Sequence, residues 1–89
     1  MTFTVLLSDR ARTDIERLPA KIRRQVIDDL QRLEAQPFPD GKRIKKLKGF
    51  KEDLYRLRAG DYRIVFLRQS AAVSVVRVLA KKDFAKVYG

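Results

Sequence analysis

Three closely spaced arginines, Arg56, Arg58 and Arg63, are the residues of this 89-residue chain best suited to chemistry. They lie in Leu54-Tyr55-Arg56-Leu57-Arg58-Ala59-Gly60-Asp61-Tyr62-Arg63-Ile64-Val65-Phe66, where apolar and cationic residues alternate, break at Gly-Asp, and resume. Period-two alternation is the signature of a strand, and Gly-Asp between two such runs predicts a hairpin. Side chains two apart on a strand share a face, so Arg56 and Arg58 project together, and Arg63 opens the neighbouring strand. Guanidiniums gathered on one small sheet repel one another, and packing alone gives no reason to collect them. A polyanion does. Arginine is no base at neutral pH, but it grips phosphate oxygens bidentately and stabilises negative charge that develops on them.

The distribution of charge points the same way. Residues 1–41 carry seven Lys/Arg and seven Asp/Glu, whereas residues 42–89 carry fourteen and four, which is the whole net charge of +10. Such asymmetry within a small domain is the electrostatic footprint of a nucleic-acid binder. The run Lys42-Arg43-Ile44-Lys45-Lys46-Leu47-Lys48-Gly49 reads as a loop leading into the hairpin. Its Lys45, Lys46 and Lys48, with Lys51 beyond, are flexible point charges that attract phosphate without demanding one geometry. The bland alternative is a solvated basic surface. A membrane-surface role fits less well, because the cations fall on strands and loops and not along one amphipathic helix.

Composition excludes several chemistries. The chain has no cysteine and no histidine. Disulfides, thiolate metal sites, the commonest zinc ligand and the usual general base at neutral pH are therefore missing. We expect no metal and no cofactor. The opening Met1-Thr2-Phe3-Thr4-Val5-Leu6-Leu7 has too short an apolar run for a signal peptide, and nothing approaches the roughly 20 apolar residues of a membrane span. A soluble, cytoplasmic protein is expected.

The elements that must position the arginines are legible in outline. Phe3, Val5 and Leu7 alternate as a strand, and Ser8 is placed to cap the helix that follows. Ala11, Ile15 and Leu18 share one helical face. Pro19 interrupts, and Ile22, Val26, Ile27, Leu30 and Leu33 continue at spacings near 3.6 in a second helix. Pro37, Pro39 and Asp40-Gly41 end the helical part. After the hairpin, Gln69-Ser70-Ala71-Ala72 is a turn, and β-branched Val73-Ser74-Val75-Val76-Arg77-Val78-Leu79-Ala80 is a central, largely buried strand in which Arg77 needs a partner. The tail from Lys81 to Gly89 forms at most a short helix. The expectation is one domain over residues 1–89, α+β in class and β-α-α-β-β-β-(α) in order. A helical hairpin packs on one face of a mostly antiparallel sheet.

Taken together, this order, the lead-in Lys46-Leu47-Lys48-Gly49, the strand Tyr55-Arg56-Leu57-Arg58, Gly60-Asp61-Tyr62-Arg63 and the closing Val87-Tyr88 resemble the RelE/ParE superfamily of bacterial toxins. The resemblance spans nearly the whole chain. It implies the toxin of a type II toxin–antitoxin pair, held inactive by a cognate acidic, RelB-like antitoxin through which it also reaches operator DNA. RelE-like members cut mRNA in the ribosomal A site, whereas ParE-like members poison DNA gyrase. The RelE-like branch is favoured, with ribosome and mRNA as targets. A gyrase inhibitor, or a catalytically weak relative acting mainly through antitoxin binding, is the alternative.

For a RelE-like nuclease the resemblance implies metal-independent attack by the ribose 2′-OH on the adjacent phosphate. Arg56 and Arg63 are then the stabilising cations, Lys82 the basic residue after the last strand, and Tyr88 the terminal tyrosine that stacks or transfers a proton. Lys45, Lys46, Lys48, Lys51, Arg58 and Lys81 form the RNA- and ribosome-binding surround. Two positions depart from the pattern. Leu54 stands where such nucleases carry a lysine often credited as proton acceptor, and Lys82 stands where arginine is common. The first leaves the general base unassigned, with Lys51, Glu52 and Asp53 as stand-ins. Tyr55 and Tyr62 read better as core than as site.

Overall fold

The computed structural model describes residues 2–88. Its elements are β1 (Thr4–Leu7), α1 (Asp9–Glu16), α2 (Ala20–Leu33), β2 (Ile44–Lys46), β3 (Leu54–Ala59), β4 (Tyr62–Gln69), β5 (Ala72–Ala80) and α3 (Lys81–Tyr88). The strands form one sheet in the order β1-β5-β4-β3-β2. All neighbours are antiparallel except β1, which runs parallel to β5. The class is the expected α+β, with β5 an inner strand, although the middle of the sheet is β4.

One strand was not anticipated. Within the stretch read as a lysine-rich loop, Ile44–Lys46 pairs with β3, setting Ile44 opposite Leu57, Lys45 opposite Arg56 and Lys46 opposite Tyr55. Ile44 is buried in the main core and holds the strand in place. Three residues are too few to show a period, and flanking lysines are how an edge strand avoids pairing with another chain. The approach is shaped by Asp40, whose carboxylate accepts the backbone N–H groups of Lys42 (2.8 Å), Arg43 (2.8 Å) and Ile44 (3.0 Å).

Side chains satisfy both ends of α1. Ser8 Oγ accepts the N–H of Ala11 at 3.0 Å, the expected N-cap of α1. At the other end Arg23 donates to the carbonyls of Ile15 (3.3 Å), Glu16 (3.0 Å) and Leu18 (3.0 Å), answering acceptors that a helix terminus leaves open. Ala11, Ile15, Val26, Leu30 and Leu33 then pack on Leu57, Ile64, Phe66, Val73, Val75 and Val78 of the sheet. Tyr55 is buried here, stacked on Phe66 with centroids 5.5 Å apart, and Tyr62 is packed against the same core. Both tyrosines belong to packing.

The helical hairpin takes one face of the sheet as expected, and α3 takes the other. Strand register places Leu54, Arg56, Arg58, Arg63, Val65 and Leu79 on the face opposite Leu57, Ile64 and Val78. Val65 and Leu79 are nonetheless buried, and neither belongs to the main core. Their cover is α3, which packs on β4 and β5. The tail carries too few apolar residues to announce this: Phe84 and Tyr88 are half-buried, and no residue of α3 is fully buried. Gly89 lies outside the described residues.

Candidate active site

The hairpin turn sets the geometry of the arginines. Ala59 and Tyr62 pair, leaving Gly60 and Asp61 between them. Gly60 has φ +61°, at the first turn position where a II′ hairpin takes glycine. A Cβ there would also stand 3.1 Å from Gln25 Nε2 of α2. The register that follows puts Arg58 directly opposite Arg63, Arg56 opposite Val65, and Lys45 of β2 opposite Arg56. Facing residues have Cβ atoms only about 5 Å apart, and like charges so placed destabilise a sheet. Burial, then Arg63 and Arg58, pushes the Arg56 pKa below its ordinary value. Among the described residues, none of the three arginines forms an ion pair with a carboxylate.

Two of the three guanidiniums are held by backbone carbonyls, and Arg58 is exposed. Arg63, only 9% exposed, donates from Nη1 to Gly60 O (2.9 Å) and Tyr62 O (3.0 Å). Arg56 donates from Nη1 to Arg43 O at 3.1 Å. Carbonyls fix each group without neutralising it. No buried side-chain nitrogen in the described residues lacks a partner, so the guanidinium nitrogens not engaged in this way reach solvent. Such an arrangement can receive an anion with little reorganisation.

The remaining sequence-derived candidates divide into two groups. Lys81 and Lys82 open α3 beside the hairpin turn, where the Lys81 N–H donates to Asp61 O at 2.9 Å. Both line an open depression of about 430 Å³ with Asp61, Ala80 and Ala85. Tyr88 is six residues further along α3, about 9 Å of helix rise away. Its ring lies 5.6 Å from that of Phe84 and 5.8 Å from that of Phe50. The structure thus brings Arg56, Arg58, Arg63 and Lys45 together on one face, borders them with Lys81 and Lys82 at the turn, and places Tyr88 at the other end of α3. Lys46 is across the strand, paired with exposed Asp53 at 3.1 Å, while Lys48 and Lys51 are exposed on the β2–β3 connection.

No proton acceptor stands at position 54, since Leu54 is buried apolar surface. Of the stand-ins, Asp53 is engaged by Lys46, and Lys51 and Glu52 are exposed in the loop. Asp40 is the carboxylate whose charge reaches Arg56. Its bonds to the backbone N–H groups of Ile44 and Lys42, and also Arg43, hold its pKa below the usual carboxylate range, which makes it a weak base. Sequence reasoning missed Asp40 and the Arg43 carbonyl. An Asp two to four residues ahead of a short strand was the available signal for the first.

Arg77 has the partner its position required. Asp14 accepts its Nε (2.8 Å) and Nη2 (3.1 Å) and also takes the Val78 N–H (2.9 Å). That bond, with smaller contributions from Asp14, Tyr88 and Asp83, raises the Arg77 pKa against the opposing effect of burial. This arginine ties α1 to β5 and is distinct from the cluster. Among the described residues no group of His, Cys, Asp and Glu is disposed to hold a metal ion, and no helix is long and apolar enough to cross a membrane.

A family model described as the ParE toxin of type II toxin–antitoxin systems matches residues 5–84, which takes in β1 through the hairpin to the first half of α3. The chain belongs to this toxin family. Solved structures of RelE toxins share its fold. The RelE–RelB complex of Pyrococcus horikoshii matches with a TM-score of 0.77 at 27% identity, covering 91% of this chain and 97% of that one. The RelB–RelE complex of Methanococcus jannaschii gives 0.74 at 25% identity over 94% and 99%. The RelBE2 complex of Mycobacterium tuberculosis gives 0.78 at 24% identity over 90% and 99%. No curated protein sequence matches. The RelE/ParE resemblance read from the hairpin is borne out, with a ParE sequence model and RelE structures representing its two named branches.

Proposed function

We propose that this toxin is an endoribonuclease that cuts mRNA on the ribosome by attack of a ribose 2′-OH on the neighbouring phosphorus. The observation that supports it best is the row of Arg56, Arg58 and Arg63 on one face of β3 and β4, with Arg56 and Arg63 held by carbonyls and none of the three paired with a carboxylate among the described residues. In the reaction the 2′-oxygen forms a bond to phosphorus while the bond to the 5′-oxygen breaks. The 2′-proton goes to a base and a proton is supplied to the departing 5′-oxygen. The products are a 2′,3′-cyclic phosphate and a 5′-hydroxyl end. Arg63 and Arg56 stabilise the added charge on the phosphorane oxygens, a role that needs guanidinium geometry and no titration. Arg58, Lys45 and Lys81 attract the strand, Lys82 faces it from the turn, and Tyr88 supplies a ring or a hydroxyl at the far end. With no acceptor at Leu54, water or an exposed side chain of the 51–53 segment takes the first proton, which sets a modest rate; a missing acid–base partner is worth roughly 10²–10⁴.

An acidic antitoxin is the expected inhibitor. Several of the RelE structures similar to this chain are complexes with RelB, and the cationic half supplies the complementary charge. Operator DNA is then reached through the antitoxin. The second reading, a gyrase inhibitor without chemistry of its own, is favoured by the ParE description of the matching family model. Induced expression followed by mapping of mRNA 5′ ends separates the two. New mRNA ends, abolished by Arg63→Ala, are expected; growth arrest with intact mRNA and broken DNA would assign the chain to the gyrase branch.

A further inference from the structure

Beyond the arginines, the same molecule carries an aromatic run with an open end. Phe50 lies in the β2–β3 connection, within Lys48-Gly49-Phe50-Lys51, and 40% of its surface is exposed. It stands outside the buried core, yet it is held in position. Gly49, at φ +87°, turns the backbone ahead of it. Its ring lies 5.8 Å from that of Tyr88 at a tilt of 49°, and Tyr88 in turn stacks on Phe84 at 5.6 Å and 24°. The three rings run from α3 to the loop, with Phe50 as the exposed terminus. Lys48 and Lys51 flank it, both exposed.

Anchoring α3 would account for an apolar residue at this place. It does not account for the exposure, nor for a lysine on either side. An exposed aromatic residue with lysines close to it on both sides in the sequence suits binding of single-stranded nucleic acid, since every base has a π-face to stack and every linkage a phosphate to neutralise.

We propose that Phe50 is a nucleobase-stacking residue that seats one nucleotide of single-stranded RNA beside Tyr88, with Lys48 and Lys51 on the adjoining phosphates. The proposal rests on the mRNA-cleavage reading and adds a residue that governs substrate affinity and register. Phe50 takes no part in making or breaking bonds.

The chain contains no tryptophan, so Phe50→Trp introduces a single fluorescent reporter at the proposed contact. The full chain carrying it is titrated with a 2′-O-methyl RNA hexanucleotide, which cannot be cut, and with the same backbone lacking bases. Quenching by the first and not by the second is expected. The companion variant Phe50→Leu keeps apolar volume against Tyr88 and loses the π-face. It should bind the hexanucleotide roughly 5- to 150-fold more weakly, the span of one stacked base, while helix content and Tm stay as in the parent. Equal affinity of the Phe50→Leu and parent proteins would overturn the proposal. Because the probe cannot be cleaved, this result is independent of catalysis. Stacking without mRNA cleavage would defeat the nuclease reading alone, and cleavage with no loss on Phe50→Leu would defeat the stacking assignment alone.

Discussion

The two faces of the β3–β4–β5 sheet are built from alternate residues of the same strands and follow opposite rules. One face joins Leu57, Ile64, Phe66 and Val78 to the α1–α2 hairpin in a core that excludes water. The other face lines up Arg56, Arg58 and Arg63 beside Val65 and Leu79, under a short helix with no fully buried residue. At two half-buried arginines elsewhere, charge is matched: Arg77 has Asp14, and Arg43 has buried Asp29 at 2.7 Å. On the arginine face it is not. A fold that pairs those two cations leaves Arg56 and Arg63 with carbonyls only and sets exposed Arg58 opposite Arg63, which costs some stability.

The largest effect should come from the apolar face. Phe66→Ala removes a fully buried ring, and such truncations cost about 3–5 kcal/mol. Urea unfolding should show most of the small domain's stability gone. An unchanged midpoint would mean the two faces differ less than the packing indicates. Next is Arg63→Ala, which should lower mRNA cleavage roughly 10²- to 10³-fold, the value of one charge-stabilising donor. Its stability loss should be about 1.5–3 kcal/mol, less the relief of the Arg58–Arg63 repulsion, because a charged group's bonds to two carbonyls at the turn are given up. Arg63→Lys should recover only part of the rate, since the planar fork is lost. Activity and stability falling together for both variants would make Arg63 a turn staple only.

Asp14→Ala sharpens the comparison from the side of the matched cations. It strips a bidentate partner from Arg77 and an acceptor from the Val78 N–H, and hydrogen bonds to charged groups are worth about 1.5–3 kcal/mol. Thermal unfolding should register this, with cleavage per folded molecule nearly unchanged. The smallest effect belongs to Arg58→Ala. It should leave stability level or slightly improved, since a like-charged cross-strand pair is relieved. If Arg58 contacts one phosphate, the log–log slope of RNA affinity against salt should become shallower by roughly 0.7. An unaltered slope would remove Arg58 from the RNA surface.

Much of this was readable in the sequence because local rules and tertiary packing agree there. The Gly60-Asp61 turn, the shared side of Arg56 and Arg58, the Ser8 cap and the core positions of α1 and α2 all follow from period and turn chemistry. β2 escaped notice because one isoleucine among lysines gives no period, and its pairing depends on Leu57 being available across the gap. The side taken by α3 was equally hidden, since it is decided by Val65 and Leu79 needing cover. The carbonyl anchors of Arg56 and Arg63 are backbone contacts that no residue pattern encodes. Separation of Tyr88 from Lys82 follows from α3 being helical over its length, which a resemblance at the level of motifs does not convey.

The central claim is that the unmatched arginine face stabilises a phosphorane formed by 2′-OH attack. Ribosomes programmed with an mRNA carrying a single 2′-deoxynucleotide at the mapped cleavage position test it most directly. The account predicts that the purified toxin cuts the all-ribose message, leaving a 2′,3′-cyclic phosphate and a 5′-hydroxyl, and leaves the deoxy-substituted position intact. Cutting of the deoxy-substituted position, or no cutting of either message by a folded toxin that still arrests growth, would contradict it.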